Sequence, residues 1–396
     1  MLTARRLIGG MRRTAAQRLP QRVRRGLHEA YGQLPARSQA AKITVVVAVG
    51  DGDATALDTC LESMRTQEHR NVRVWVVRYR VATSGRSGDD RVGEIARAHA
   101  AQDWRIRLAE VPGGGAADIT EARNLGARLA RGDYLCFVDP RDHVPGGGIA
   151  ALACSLDESG SRFAIGAVQH SRGPFRNVAA RRDLVHAEAR PATTIAELPL
   201  AVTDVHLESR LFRVDFWNGA GLAFDGDETL LALKAFAALD SGATFDVLDE
   251  VTYQRLRRDE GTPFGAQRNA LDDLDDWLAR QRRALDLLDV LGNDDLLQAW
   301  TFVVLDVTVQ TFLDHVERAT PQQWQALRDL LAPMRARIHE VAWRSIRAES
   351  RVKVWLTAND RRNELEEFVE ARWFEQGNRA TQIVVGDVHA LLPFYR

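Results

Sequence analysis

Cysteine, long apolar runs and phosphate-binding motifs are scarce or missing in this sequence, and each absence excludes a class of protein. The three cysteines (Cys60, Cys136 and Cys154) are too few and too scattered for a disulfide framework or a Cys-X-X-Cys zinc site. The sequence contains no run of about 18 apolar residues, so we expect no transmembrane helix. The N-terminus lacks the apolar core of a secretory signal. Neither GxGxxG nor GxxxxGK[ST] occurs, which excludes Rossmann dinucleotide and P-loop sites. We therefore expect a protein of the reducing cytoplasm.

The formal net charge of −1 conceals two parts of opposite sign. Residues 1–40 contain nine arginines and one acid, Glu29, so they carry about +8 and the rest of the chain about −9. Apolar residues recur among these arginines at helical spacing, which predicts a basic amphipathic arm on an anionic membrane surface. The alternative is a solvated helix, or an arm ordered only by packing. No aromatic platform or base-reading motif accompanies the charge, so we expect no nucleic-acid partner.

From Lys42 the sequence changes to alternating strands and helices. The β-branched run 43–49 is typical of a strand buried on both faces of a parallel sheet. Three further apolar runs follow, with helical patterns between them: 72–77, 106–111 and 134–138. This alternation predicts a doubly wound, mostly parallel α/β sheet, whose ligand lies beyond the carboxyl ends of the strands.

Beyond the arm, the sequence pattern divides the chain into three segments. Residues 41–265 are the predicted sheet domain, with helix-rich sequence expected from Leu211 to Leu239. Residues 266–375 predict an α-helical module, in which leucines and tryptophans share helix faces. Residues 376–396 contain one apolar strand without an obvious partner, which indicates docking onto the body or the start of a further β domain.

Two blocks of the sheet domain carry a recognisable pattern. Residues 122–126 read ARNLG and residues 130–139 read ARGDYLCFVD. Together they resemble the “ARNxG…AxGDYxxFxD” block of family 2 glycosyltransferases. Residues 210–217, RLFRVDFW, resemble the “KLFRxxFW” segment of members that build teichoic-acid-like wall polymers. The resemblance covers about residues 42–265 and implies the GT-A fold, and the helical module looks like the connector of those wall-polymer proteins.

The resemblance implies a reaction and its partners. Family 2 enzymes move a sugar from a nucleotide-diphosphate donor to an acceptor hydroxyl with inversion, usually with a divalent metal such as Mg²⁺ or Mn²⁺. For this chain it implies hexosyl or N-acetylhexosaminyl transfer from a UDP-linked sugar to a lipid-linked glycan or polyol-phosphate polymer. With the arginine-rich arm, we expect a peripheral enzyme on the cytoplasmic face of the inner membrane.

The family's DxD-like metal motif corresponds here to Asp139-Pro140-Arg141-Asp142. Asp139 matches the first acid, Arg141 replaces the usual metal ligand, and Asp142 matches the trailing acid, so the resemblance implies Asp139 and Asp142 as metal ligands. A guanidinium cannot ligate a cation but can pair with a diphosphate through two hydrogen bonds. Three alternatives therefore stay open: Asp142 takes over the metal, Arg141 substitutes for it, or catalysis is lost.

The remaining site residues are also implied by the resemblance. The nucleotide-sugar contacts are Asp139, Arg141, Asp51, Arg123 and Arg257. The second strand ends without the family's usual acid, but Tyr79 there could stack on a base. This departure and Arg141 favour an alternative function, a catalytically weak GT-A-like module that binds or scaffolds.

The general base is implied in the segment that opens the helix after the “FW” element. Its candidates are Asp227 and, next to it, Glu228. A base of this kind would deprotonate the acceptor hydroxyl. Acids are also enriched at helix N-termini because of the helix dipole, and that alternative explains both residues equally well.

Overall fold

The computed structural model describes most of the sheet domain and the helical module. The described residues are 41–50, 53–79, 90–112, 118–172, 175–178, 185–239, 242–256, 271, 274–374, 382–385 and 388–391. The predictions for the arm at 1–40, for Asp51 and for Arg257 lie outside these residues.

A nine-stranded mixed sheet forms the centre of the protein. Its strands are β1 (Ile43–Val49), β2 (Val72–Arg78), β3 (Ile106–Glu110), β4 (Tyr134–Val138), β5 (Phe163–Arg172), β6 (Phe175–Val178), β7 (Arg190–Thr193), β8 (Arg210–Arg213) and β9 (Phe245–Leu256). The order is β3-β2-β1-β4-β8-β5-β9-β7, with β6 paired to β5. Strands β1 to β4 are mutually parallel where they pair, whereas β8 runs antiparallel between β4 and β5. The predicted α/β class is confirmed.

Helices cover both faces of this sheet. They are α1 (Ala54–Arg65), α2 (Arg91–Gln102), α3 (Ile119–Leu129), α4 (Gly148–Ser159), α5 (Val214–Gly219) and α6 (Glu228–Ala237). Because side chains alternate along a strand, Val45 and Val47 of β1 enter one core while Val46 enters the other. Helix α3 packs closely over Val46, since a Cβ at Gly126 would overlap that side chain. This contact explains the glycine of the ARNLG block.

The helical module contains seven α-helices in the described part of the chain. They are α7 (Leu274–Leu291), α8 (Asp294–Val303), α9 (Gln310–Leu313), α10 (Pro321–Arg337), α11 (Glu340–Ser345), α12 (Ala348–Ala358) and α13 (Arg362–Phe374). A capping box begins α10: the Thr320 hydroxyl accepts from the Gln323 amide at 3.1 Å, and the Gln323 side chain accepts from the Thr320 amide at 3.0 Å. The apolar side chains of this module join the core on one face of the sheet, so the two predicted domains share one hydrophobic core.

Two expectations about strands were wrong. Arg210–Arg213 is the short strand β8 and not helix, because Leu211 and Phe212 are fully buried between β4 and β5, and this tertiary pairing overrides the local pattern. The terminal strand has a partner: β10 (Gln382–Val385) pairs antiparallel with β11 (Val388–Leu391). The second strand of this pair is only four residues long and shows no clear alternation in its sequence.

The exclusion of a membrane-spanning helix also needs a correction. Among the described residues, the helical stretch Asp294–Leu313 is long and apolar enough to cross a membrane by length and composition. Most of its apolar window is buried inside the protein. The stretch is therefore a weak indication of a span, because core helices pass the same test.

Candidate active site

The site lies where the carboxyl ends of β1, β2 and β4 meet. Gly50 follows β1, and a Cβ there would come within 3.1 Å of the Tyr79 ring, which follows β2. The Gly50 amide donates to the Asp53 carboxylate at 3.1 Å, and the Tyr79 amide donates to the Val49 carbonyl at 3.0 Å. These contacts fix an aromatic ring at the strand ends, as expected of a doubly wound sheet with its ligand site at this edge.

Asp139, which follows β4, is paired with Arg141. One carboxylate oxygen accepts from the Arg141 amide and from its Nε, both at 2.9 Å, and the other accepts from Nη2 at 2.8 Å. Burial alone would raise the pKa of Asp139, but the hydrogen bonds and charge of Arg141, with the charge of Arg123, hold that pKa below its usual value. The Asp139 side chain is 13% exposed and that of Arg141 is 56% exposed, so the guanidinium forms the outer part of the pair.

Asp142 faces β9 and has other partners. Its oxygens accept from the Tyr253 hydroxyl at 2.9 Å and from the Leu256 amide at 3.0 Å. The same Tyr253 hydroxyl accepts from the Asp139 amide at 3.1 Å. Burial, and then the negative charge of Asp139, raise the pKa of Asp142 to about 6. Asp142 therefore anchors the loop after β4 onto β9.

The ARNLG block joins this site through α3. Arg123 in α3 forms an ion pair with Glu228 at the start of α6, and its guanidinium lies 5.1 Å from the Phe224 ring centroid. Asn124 exchanges two 2.9 Å hydrogen bonds with the Phe224 backbone. The block thereby fixes the loop that carries the candidate bases.

Asp227 and Glu228 have different environments. Asp227 caps α6, since one of its oxygens accepts from the Thr229 and Leu230 amides at 3.0 and 3.3 Å. Its other oxygen lies 2.8 Å from Nη2 of Arg283, in α7 of the helical module, and the side chain is only 6% exposed. The Glu228 side chain is 35% exposed. The base assignment stays a prediction for both residues, and this arrangement favours Glu228.

Four of the predicted residues form one electrostatic cluster. The charge of Arg123 lowers the pKa of Asp139, and the charges of Arg123, Asp139 and Arg141 all affect the pKa of Tyr79. Glu228 belongs to the same cluster through its ion pair with Arg123. Burial, and then the charge of Asp53, raise the pKa of Tyr79. The sequence analysis assigned no role to Asn124 or Tyr253. Asn124 belongs to the ARNLG block, which could have indicated it, whereas no local sequence pattern indicates Tyr253.

The predicted metal ligands do not form a cation site in this arrangement. Both oxygens of Asp139 are bonded to Arg141, and both oxygens of Asp142 are bonded to β9. In the described part of the chain, no group of three His, Cys, Asp or Glu side chains is placed to hold a metal ion. The donor set therefore does not fit a divalent cation without rearrangement.

Comparison with known families decides what kind of domain carries this site. The family model described as “Glycosyl transferase family 2” matches residues 44–217. Residues 44–217 are a family 2 glycosyltransferase domain. The matched segment carries Arg123 and the Asp139–Asp142 loop and ends before Asp227 and Glu228.

Two curated relatives are glycosyltransferases by name. The “uncharacterized glycosyltransferase EpsJ” of Bacillus subtilis (strain 168) is 29% identical over 209 residues, which is 50% of this chain and 56% of EpsJ. The “glycosyltransferase GlyA” of Streptococcus pneumoniae serotype 4 is 30% identical over 125 residues, which is 32% of this chain and 16% of GlyA. The chain thus spans about half the length of the first relative and a small part of the second.

Solved structures extend the likeness through the helical module. The crystal structure of residues 1–349 of S. aureus TarS has a TM-score of 0.59 at 14% identity, over 89% of this chain and 96% of that fragment. The same fragment in complex with UDP-GlcNAc has a TM-score of 0.60 at 15% identity. At such identities the likeness shows the fold alone, and the predicted GT-A-like domain followed by helices is confirmed.

Proposed function

We propose that the protein is an inverting glycosyltransferase that uses a UDP-linked hexose or N-acetylhexosamine. The observation that carries the proposal is the cluster of Asp139, Arg141, Arg123 and Glu228 at the carboxyl edge of a family 2 domain. The TarS fragment was crystallised with UDP-GlcNAc and with UDP, which supports a nucleotide sugar as donor.

The side chains divide the work in this mechanism. Tyr79 stacks on the base, Asp139 faces the ribose, and Arg141 with Arg123 attracts the diphosphate, which guanidinium groups bind through paired hydrogen bonds. Glu228 accepts the proton of the acceptor hydroxyl as that oxygen attacks the sugar. Arg123 orients Glu228 through their ion pair. Asp51 and Arg257 remain predicted nucleotide contacts. The divalent metal remains a prediction, and each of these steps uses side chains alone.

The decisive experiment measures UDP binding and sugar transfer on the full chain. Calorimetry with UDP, CDP and GDP should give binding for UDP, and UDP-GlcNAc should be consumed in the presence of a lipid-linked polyol-phosphate acceptor. Failure of all three nucleotides to bind would remove the donor site. Binding of UDP without turnover of any UDP-sugar would instead favour the alternative function, a catalytically weak binding module, for which the replacement of the second DxD acid by Arg141 is the supporting observation.

We propose further that the acceptor is a cell-wall polymer carried by a lipid, reached on the cytoplasmic face of the membrane. The resemblance of residues 210–217 to wall-polymer enzymes supports the acceptor, and the +8 charge of residues 1–40 supports the surface. Each arginine near an anionic surface contributes about 1 kcal/mol. Replacing Arg5, Arg6, Arg12 and Arg13 with glutamine should therefore strongly weaken binding to phosphatidylglycerol vesicles. Binding to phosphatidylcholine vesicles should stay the same. Unchanged binding to the anionic vesicles would contradict the role of the arm.

A further inference from the structure

We propose that Arg141 takes the place of the divalent cation, so that this enzyme binds its donor diphosphate and transfers sugar without metal. The inference rests on the proposed function, because it concerns the diphosphate of the same donor. It assigns Arg141 a role in leaving-group departure that goes beyond nucleotide contact.

The first support is the way Arg141 is held. Asp139 fixes Nε, Nη2 and the backbone amide of Arg141 through three hydrogen bonds. None of the described contacts uses Nη1, and more than half of the side chain is exposed. A fixed guanidinium keeps its charge and loses little side-chain freedom when it binds a diphosphate. Asp139 thus acts as the anchor of a cationic group, in the position where the family motif would anchor a metal.

The second support is that the acids nearby are committed elsewhere. Asp142 cannot turn towards a cation without giving up the Tyr253 hydroxyl and the Leu256 amide, and it is almost fully buried. A second guanidinium, that of Arg123, acts on Asp139 from α3. The guanidinium groups of Arg141 and Arg123, each held by a carboxylate, lie at this edge and can stabilise the charge of a diphosphate, which is the electrostatic task of a metal in such a transfer.

The reaction balances without a further reactant. The acceptor oxygen forms a bond to the anomeric carbon as the bond from that carbon to the diphosphate oxygen breaks. The bonding electron pair leaves with the nucleoside diphosphate, where Arg141 stabilises the added negative charge. The acceptor proton passes to the general base, proposed above as Glu228.

The test compares the wild type with Arg141→Asp and Arg141→Ala, each in EDTA and in Mn²⁺. Wild-type UDP affinity and transfer rate should be unchanged by the metal. Arg141→Asp restores the family's acid, so its UDP affinity should fall by about tenfold or more in EDTA, where a charge-assisted hydrogen bond is lost, and recover in Mn²⁺. Arg141→Ala should fall equally and not recover.

A matched control is Arg213→Ala. Arg213 also pairs with an acid two residues away, Asp215. It lies beside Tyr134, the first residue of β4, whereas the site lies at the carboxyl end of that strand. This variant should bind UDP like the wild type, and melting curves should show that every variant remains folded at the assay temperature. A requirement of the wild type for Mn²⁺, in binding or in transfer, would overturn the inference. Wild-type protein that binds no UDP under either condition would instead remove the proposed function itself.

Discussion

Two pairs of nearby acids in the site show the same division between a member that pairs with an arginine of the site and a buried member that accepts from backbone amides. After β4, Asp139 pairs with the exposed Arg141 while Asp142 is buried against β9. Before α6, Glu228 pairs with Arg123 while Asp227 is buried as a helix cap. In each pair one carboxylate holds an arginine of the site, and the other maintains the backbone of the segment that carries it. Adjacent acids in a motif are therefore not interchangeable, even where sequence alone gives them equal standing.

The largest expected effect separates the members of the second pair. Glu228→Gln should lower the transfer rate by roughly a hundredfold to ten-thousandfold, the usual contribution of a general base, while UDP binding persists. Asp227→Asn should keep most activity, because asparagine caps a helix about as well as aspartate. Rates with saturating UDP-sugar and acceptor provide the measurement. Full activity in both variants would show that the base lies elsewhere, and a severe loss in Asp227→Asn alone would reverse the assignment.

The first pair predicts opposite dependences of stability on pH. The pKa of Asp142 is raised from 3.8 to about 6, so its contribution to the free energy of unfolding is full below the unfolded value and is lost as pH rises through about 6. The pKa of Asp139 is lowered, so its contribution is present above 3.8 and is lost as pH falls through the folded value. Two neighbouring carboxylates thus act in separate pH windows.

Two substitutions of Asp142 test this difference. The wild type should lose stability between about pH 4.5 and about pH 7 as Asp142 ionises, and Asp142→Asn should not show this loss. Urea unfolding at both pH values measures the free energy of unfolding. Asp142→Ala should cost about 1–3 kcal/mol or more at either pH, because the Tyr253 hydroxyl and the Leu256 amide lose a buried acceptor. An identical pH profile for the wild type and Asp142→Asn would contradict the raised pKa.

The sequence revealed the parts of this architecture that depend on local pattern. The β-branched run of β1 is buried on both faces, and the ARNLG block places Arg123 and Gly126 on one helix, so both features could be read without a structure. The short strand β8 could not, because only four residues carry it and its neighbours supply the burial. The different environments of Asp227 and Asp142 likewise depend on Arg283 and Tyr253, which lie far away in sequence.

The smallest effect concerns the contact between the helical module and the site. The Arg283 side chain is 54% exposed, so its ion pair with Asp227 should contribute only about 0.2–1 kcal/mol to the free energy of unfolding. The two single variants should nevertheless differ. Asp227→Asn removes a buried charge and keeps the cap, whereas Arg283→Gln leaves that charge without its cation.

A double-mutant cycle of Asp227→Asn and Arg283→Gln measures this asymmetry. Arg283→Gln should destabilise more than Asp227→Asn, and the double variant should resemble Asp227→Asn, because the arginine has no charge to pair with once the aspartate is neutral. Arg280→Gln, one turn earlier in α7, is the control and should change neither value. Additive effects of the two substitutions would mean that the helical module stabilises α6 through apolar packing alone, and that Arg283 has no part in holding the loop that presents Glu228.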